Sequence, residues 1–196
     1  LSIAHWPNFD SLRVFAVVNI TEPDAMGRFE PIQAGSNRIS DRNLKERVSD
    51  MRNRLVTLFG GGGFLGRYVA QELLEAGVRL RIAERNPSNA MHIRPLGGLG
   101  QVQMVAADVT RPATLARAVE GADAVINLVG ILKGAFYKVH VEGAGNVAGA
   151  AAAAGANALV HISAIGANPE SHSEYGRTKG QGEEAVKAAF PGATII

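Results

Sequence analysis

Leu55-Val-Thr-Leu-Phe59-Gly60-Gly-Gly62-Gly63-Phe64-Leu65-Gly66 runs from a β-rich apolar segment, through glycines at the first, fourth and seventh positions, into an amphipathic segment that continues to Ala76. A strand must end here and a helix must begin within a few residues. Gly60 allows the sharp turn, Gly63 removes the Cβ that would keep a phosphate away from the backbone, and Gly66 permits close packing of helix on strand. The free amides at the start of the helix then face the phosphates. Three spaced glycines alone would fit a plain turn, but strand and helix flank this one, and the pattern predicts a pyrophosphate cradle formed by Gly60, Gly62, Gly63, Phe64, Leu65 and Gly66.

Working outward, short β-rich runs alternate with helical ones from Arg54 onward. Strands are predicted at 54–59, 78–83, 101–105, 123–128 and 158–163, and helices at 64–76, 114–120, 136–155 and 173–189. Such alternation gives an α/β fold with a doubly wound parallel sheet, the Rossmann arrangement for nicotinamide dinucleotides. A sixth strand begins at Ala193 and the sequence stops inside it at Ile196. A half-length strand leaves an uncovered sheet edge, so a C-terminally truncated domain over 51–196, without its substrate lobe, is expected. Residues 1–50 carry Pro7, Pro23 and Pro31 and one short apolar stretch, and read as an N-terminal extension. Either it is a genuine appendage, ordered or disordered, or Met51 is the natural start.

Composition bounds the function. With 46% hydrophobic and 19% charged residues, a formal charge of +2 and no basic run, the chain suits a globular core and offers no footprint for nucleic acid. It has no cysteine, and its five histidines lack metal-ligand spacing, so no metal site is expected. No apolar run approaches the roughly 18 residues of a membrane span. No leader is recognisable in Leu1–Ile20, and a cytoplasmic protein, peripheral on the inner membrane if joined to a membrane complex, is expected.

Three strand ends supply further cofactor-binding candidates. The second ends in Glu84-Arg85, with Glu84 18 residues after Gly66. A carboxylate there accepts both ribose hydroxyls and selects NAD(H), whereas a guanidinium pairs with a 2′-phosphate and selects NADP(H). The balance leans to NADP(H). Asp108, with Val109, ends the third strand, placed either to meet the adenine edge or to cap a helix. Asn127-Leu128-Val129-Gly130 ends the fourth, where small residues let the backbone pass near the ribose and nicotinamide.

Tyr175 and Lys179 lie four apart, on one helix face, where an ammonium favours the phenolate and the lysine also reaches the nicotinamide ribose. Both therefore join the cofactor-binding set. Ser163, expected to close the fifth strand, is placed to bond a substrate oxygen, giving a catalytic set of Ser163, Tyr175 and Lys179. With the glycine-rich turn, these residues make the chain resemble the short-chain dehydrogenase/reductase superfamily over 54–196. Met91–Gln101, Val125–Gly130 and Tyr175–Glu183 are similar to the atypical, extended branch that contains the nucleotide-binding accessory subunit of respiratory complex I and its bacterial homologues.

That resemblance implies a tightly held structural NADP(H) in a protein joined to, or assembling, subunits of the respiratory enzyme. It leaves open an active NAD(P)-dependent oxidoreductase, epimerase or dehydratase with a Ser163, Tyr175 and Lys179 site, and a sensor of the nucleotide pool. Two departures from the family pattern bear on chemistry. His140 stands where extended relatives commonly have an asparagine that supports the active-site backbone, and the loop Ile131–Phe136 is short.

Overall fold

The structure is a computed structural model that describes residues 52–196. The expected extension over 1–50 and the start at Met51 lie outside the described residues. Six strands, β1 (Leu55–Phe59), β2 (Arg79–Glu84), β3 (Val102–Ala106), β4 (Ala124–Asn127), β5 (Ala158–His161) and β6 (Thr194–Ile195), form one parallel sheet. Their order is β3-β2-β1-β4-β5-β6, so the winding reverses between β1 and β4. A ligand crevice forms at the carboxyl ends of the strands at such a reversal.

Alternation along the strands explains the two layers. Val56 and Leu58 of β1, with Ile126 and Val160, point to one face, where Ala70, Leu73 and Leu74 of α1 (Phe64–Glu75) cover them. Phe59, Val125 and Leu159 point to the other. There they meet α2 (Leu115–Val119), α3 (Ala144–Ala153) and α4 (Glu174–Ala189), which contribute Leu115, Ala118, Ala144, Val147, Ala148 and Val186. The alanine-rich α3 sits close because its packed side chains are small.

Three departures from the sequence reading have local causes. Pro87–Leu96, within the stretch singled out for its resemblance but given no element, is a 3₁₀ helix. Pro87 starts it, the Asn86 side chain accepts the Ser88 amide, and the internal Pro95 removes a backbone donor. The helix expected over 136–155 begins instead as a π-helical turn, Tyr137–Gly143, and becomes α-helical only at Ala144. Gly182 of α4 faces this turn, and a Cβ there would collide with the His140 carbonyl oxygen. Finally, β5 ends at His161, so Ser163 lies two residues past the strand rather than closing it, although its amide still donates to Ile196 O.

Candidate functional site

A cavity of about 350 Å³ opens at the sheet reversal. Gly60, Gly62 and Gly63 line one side, Glu84 and Arg85 the end of β2, Asp108 and Val109 the end of β3, and Leu128, Val129 and Gly130 the end of β4. The structure thus brings together ten of the sequence-predicted positions. Asn89 of the 3₁₀ helix, Val139 of the π-helical turn, and Thr110 and Ile131 from loops join them, positions the sequence did not single out as cofactor-binding. Phe64, Leu65, Gly66, Asn127, Ser163, Tyr175 and Lys179 do not line it. Phe64 is 76% exposed, its ring edge-on to Tyr68.

The loop glycines answer different demands. Gly60 has φ +78°, a conformation that side chains rarely adopt, and a Cβ there would lie 3.2 Å from the Leu128 carbonyl carbon. Gly62 packs against Ala90, and its amide donates to Glu84 Oε1 at 2.8 Å. Gly66 is excluded from bearing a Cβ by the Gly60 and Gly61 carbonyl oxygens. Gly63, the N-cap of α1, is the least enclosed of the four: within 4 Å its Cβ would meet Gly60 O alone, at a tight 3.3 Å. The position at which the sequence predicts close approach of the phosphates is the one least hemmed in by the fold.

Glu84 therefore has one oxygen engaged by the cradle, while Arg85 stays exposed at the rim. Asp108 does not cap a helix, as one reading of the sequence had it. Its Oδ1 accepts the Thr110 amide at 2.9 Å and the Thr110 hydroxyl at 2.8 Å, closing a turn beneath the cavity. Burial works to raise its pKa, but those hydrogen bonds, with Arg111 and Arg85, hold the carboxyl below the usual range.

At the ends of β4 and β5 a buried polar cluster joins the sheet to α4. Asn127 Oδ1 accepts the Val129 amide, so its amide nitrogen donates to His161 Nδ1 at 3.1 Å. The His161 proton is left on Nε2, which has no partner among the described residues. Burial above all, then the charge of Lys179, lowers the His161 pKa to about 3, so the ring is neutral. Lys179 is 4% exposed and donates to Ile162 O at 2.8 Å; burial lowers its pKa against the opposing pull of Glu183. Tyr175 is half-buried, its ring edge-on to His140 at 5.4 Å and to Phe136 at 6.0 Å.

Ser163 has a hydrogen-bond partner within the chain. Its hydroxyl donates to Glu183 Oε1 at 2.6 Å, and Glu183 Oε2 lies 3.6 Å from Lys187 Nζ. The Ser163 hydroxyl proton thus points to a carboxylate. Sequence reasoning missed Glu183, although its place four residues after Lys179 on the same helix was a usable signal.

The family described as NAD(P)H-binding matches residues 60–190, from the first loop glycine to the end of α4. The chain belongs to this NAD(P)H-binding family. It is 34% identical over 152 residues to the 40 kDa subunit of mitochondrial NADH-ubiquinone oxidoreductase from Neurospora crassa, covering 76% of this chain and 40% of that one. To subunit 9 of the NADH dehydrogenase [ubiquinone] 1 alpha subcomplex of Mus musculus it is 34% identical over 153 residues, 76% of this chain and 41% of the relative. To ceramide reductase of Caulobacter vibrioides it is 34% identical over 146 residues, 72% and 44%. The chain spans less than half the length of these relatives, which agree with the atypical short-chain dehydrogenase/reductase group expected from its motifs.

The X-ray structure of Pen from Bacillus thuringiensis shares the fold, with a TM-score of 0.64 at 21% identity over 71% of this chain and 46% of that one. Among the described residues no helix is long and apolar enough to cross a membrane. The open cradle at Gly63 and the carboxylate and guanidinium at the end of β2 fit a nicotinamide dinucleotide.

Proposed function

We propose that this NAD(P)H-binding chain holds NADP(H) as a structural element of an accessory or assembly component of the respiratory NADH dehydrogenase complex. Its place is then cytoplasmic and peripheral on the inner membrane, through subunits of that complex. Two of the relatives named above are subunits of such an enzyme. The observation that favours holding over turnover is the 2.6 Å hydrogen bond from Ser163 to Glu183. A serine hydroxyl has one proton, and a carboxylate is a stronger acceptor than a neutral carbonyl. Ser163 therefore has only lone pairs to offer a substrate.

In this reading Gly60 to Gly66 and the first amides of α1 take the pyrophosphate, Asp108 and Val109 border the adenine, and Asn127 to Gly130 border the ribose and nicotinamide. Tyr175 and Lys179 hold the nicotinamide ribose. The bound dinucleotide carries a transferable hydride, but its contribution here is to stability, since a ligand bound only by the native state shifts folding by mass action. Arg85 takes the 2′-phosphate, with Glu84 drawn inward to Gly62. Arg85→Ala is accordingly expected to weaken NADPH binding by roughly tenfold or more and to leave NADH binding within about twofold, as titrations of both would show.

A second reading, an active oxidoreductase, epimerase or dehydratase, is favoured by the pairing of Tyr175 and Lys179 on α4 and by the ceramide reductase among the relatives. There Tyr175 is the acid/base, Lys179 its tuner and Ser163 the orienter. The two readings part in an assay of NADPH oxidation against a panel of carbonyl compounds. No turnover above background is expected of the parent protein. Turnover that disappears in Tyr175→Phe would make the chain an enzyme and overturn the first reading.

A further inference from the structure

We propose that His140 is a positioning residue for the cofactor, a neutral imidazole tying the cavity wall at Ile131 to the helix that carries Tyr175 and Lys179. The inference rests on the reading of that helix as the holder of the nicotinamide ribose.

The hydrogen bonds fix the tautomer. Ile131 N donates to His140 Nε2 at 3.1 Å, and a backbone N–H can only donate, so Nε2 presents its lone pair. The proton is then on Nδ1, which lies 3.1 Å from Thr178 Oγ1 and donates to it. The Thr178 hydroxyl in turn donates a hydrogen bond to Glu174 O at 2.8 Å, within the first turn of α4. One ring thus links two otherwise separate pieces of backbone, the cavity-lining loop after β4 and the start of α4. Its faces are used as well: Phe136 stacks on it at 5.4 Å and Tyr175 meets it edge-on at 5.4 Å. The π-helical turn carries His140 to this point, and the bare Gly182 lets its carbonyl approach α4.

An imidazolium cannot make this link. With protons on both nitrogens, the ring would turn a donor toward the Ile131 donor in a place where His140 is 2% exposed. The charged and titratable groups that face it are Lys179 and the Tyr175 ring from α4 and His161 from β5. Glu183, further along α4, is taken up by Ser163 and Lys187. On its own turn Lys138 and Glu142 are exposed, as is Lys133 in the preceding loop. Burial, and then Lys179, keeps the ring below the usual histidine pKa, which places its protonation below pH 6.5. Cofactor affinity should be level above the ring's own lowered pKa and decline below it, by up to about tenfold per pH unit.

The test is titration of the full chain with NADP⁺ and with NAD⁺ between pH 8 and pH 5, for the parent, His140→Gln and His140→Leu. NADP⁺ carries a 2′-phosphate that itself titrates near 6, so the comparison with NAD⁺ and with the glutamine variant carries the result. His140→Gln keeps an acceptor and a donor but no titrating group. It is expected to bind within about threefold of the parent at pH 8 and to lose the acid decline seen with NAD⁺. His140→Leu is expected to bind roughly tenfold more weakly at pH 8. In the parent, ¹⁵N shifts of the ring should report the Nδ1–H tautomer whether or not the leucine variant folds. An acid decline identical in parent and His140→Gln, or a ring protonated at Nε2, would overturn the proposal for His140 alone. A parent that binds neither nucleotide at pH 8 would instead overturn the reading of the cavity on which it rests.

Discussion

Gly63→Val is expected to lower NAD(P)H affinity by on the order of a hundredfold or more while leaving the apo fold essentially intact. Gly60 O, at a tight 3.3 Å, is the one atom within 4 Å of a Cβ at this position, so a shift of a few tenths of an ångström admits the side chain, which then projects where the pyrophosphate must sit. Displacing the phosphates costs hydrogen bonds to backbone amides that carry charge assistance, about 1.5–3 kcal/mol each, and two of them already account for a hundredfold. Fluorescence titration with NADPH, beside a thermal melt without nucleotide, separates the two effects. Gly66→Ala is the control with the opposite signature. Its Cβ would strike the Gly60 and Gly61 carbonyl oxygens, so stability falls before binding is reached. Unchanged NADPH affinity in a folded Gly63→Val protein would refute the phosphate cradle.

This contrast shows what the sequence conveys and what it conceals. Glycine spacing between a strand and a helix foretells the turn because only a few backbone paths join those elements, and the sheet follows from the alternation of segments. The same spacing does not say which glycine faces ligand and which faces protein; that depends on Leu128, Ala90 and Ile82, contributed by other strands and loops. Glu84 and Arg85 were legible as a pair, yet the bond from the Gly62 amide that draws Glu84 inward is a tertiary fact. The spacing of Glu183 four residues after Lys179 marks it as a neighbour of that lysine, but its bond to Ser163, over 20 residues of sequence, leaves no periodic trace. The π-helical turn at Tyr137–Gly143 was likewise hidden within a stretch whose residues all tolerate an α-helix.

Acid should destabilise the protein well before its carboxylates titrate. His161 is 1% exposed, and its pKa falls from 6.5 to about 3 on folding. Between those values the unfolded chain binds a proton that the folded chain refuses, so stability is level above pH 6.5 and is lost as the pH drops toward 3. The slope from this group approaches about 1.4 kcal/mol per pH unit once the pH is below 6.5. His140, also depressed, adds to the decline in the same direction. Asp108 contributes only later, because a carboxylate with a lowered pKa begins to lose its stabilisation near its unfolded value of 3.8. Urea unfolding at half-unit steps from pH 7.5 to pH 4.5 measures the slope. His161→Gln, which can still accept from Asn127, is expected to reduce it by about 1.4 kcal/mol per unit, and an unaltered slope would show that His161 titrates elsewhere.

The central claim is that this cavity retains NADP(H) without consuming it, and the most direct test is chemical. The purified full chain is washed free of loose nucleotide, denatured, and the supernatant identified and quantified by mass spectrometry. Release of close to one NADP(H) per chain, unchanged in amount after incubation with carbonyl compounds, is the predicted result. Release of no nucleotide, or of a cofactor whose redox state has turned over with the carbonyl panel, would contradict the account.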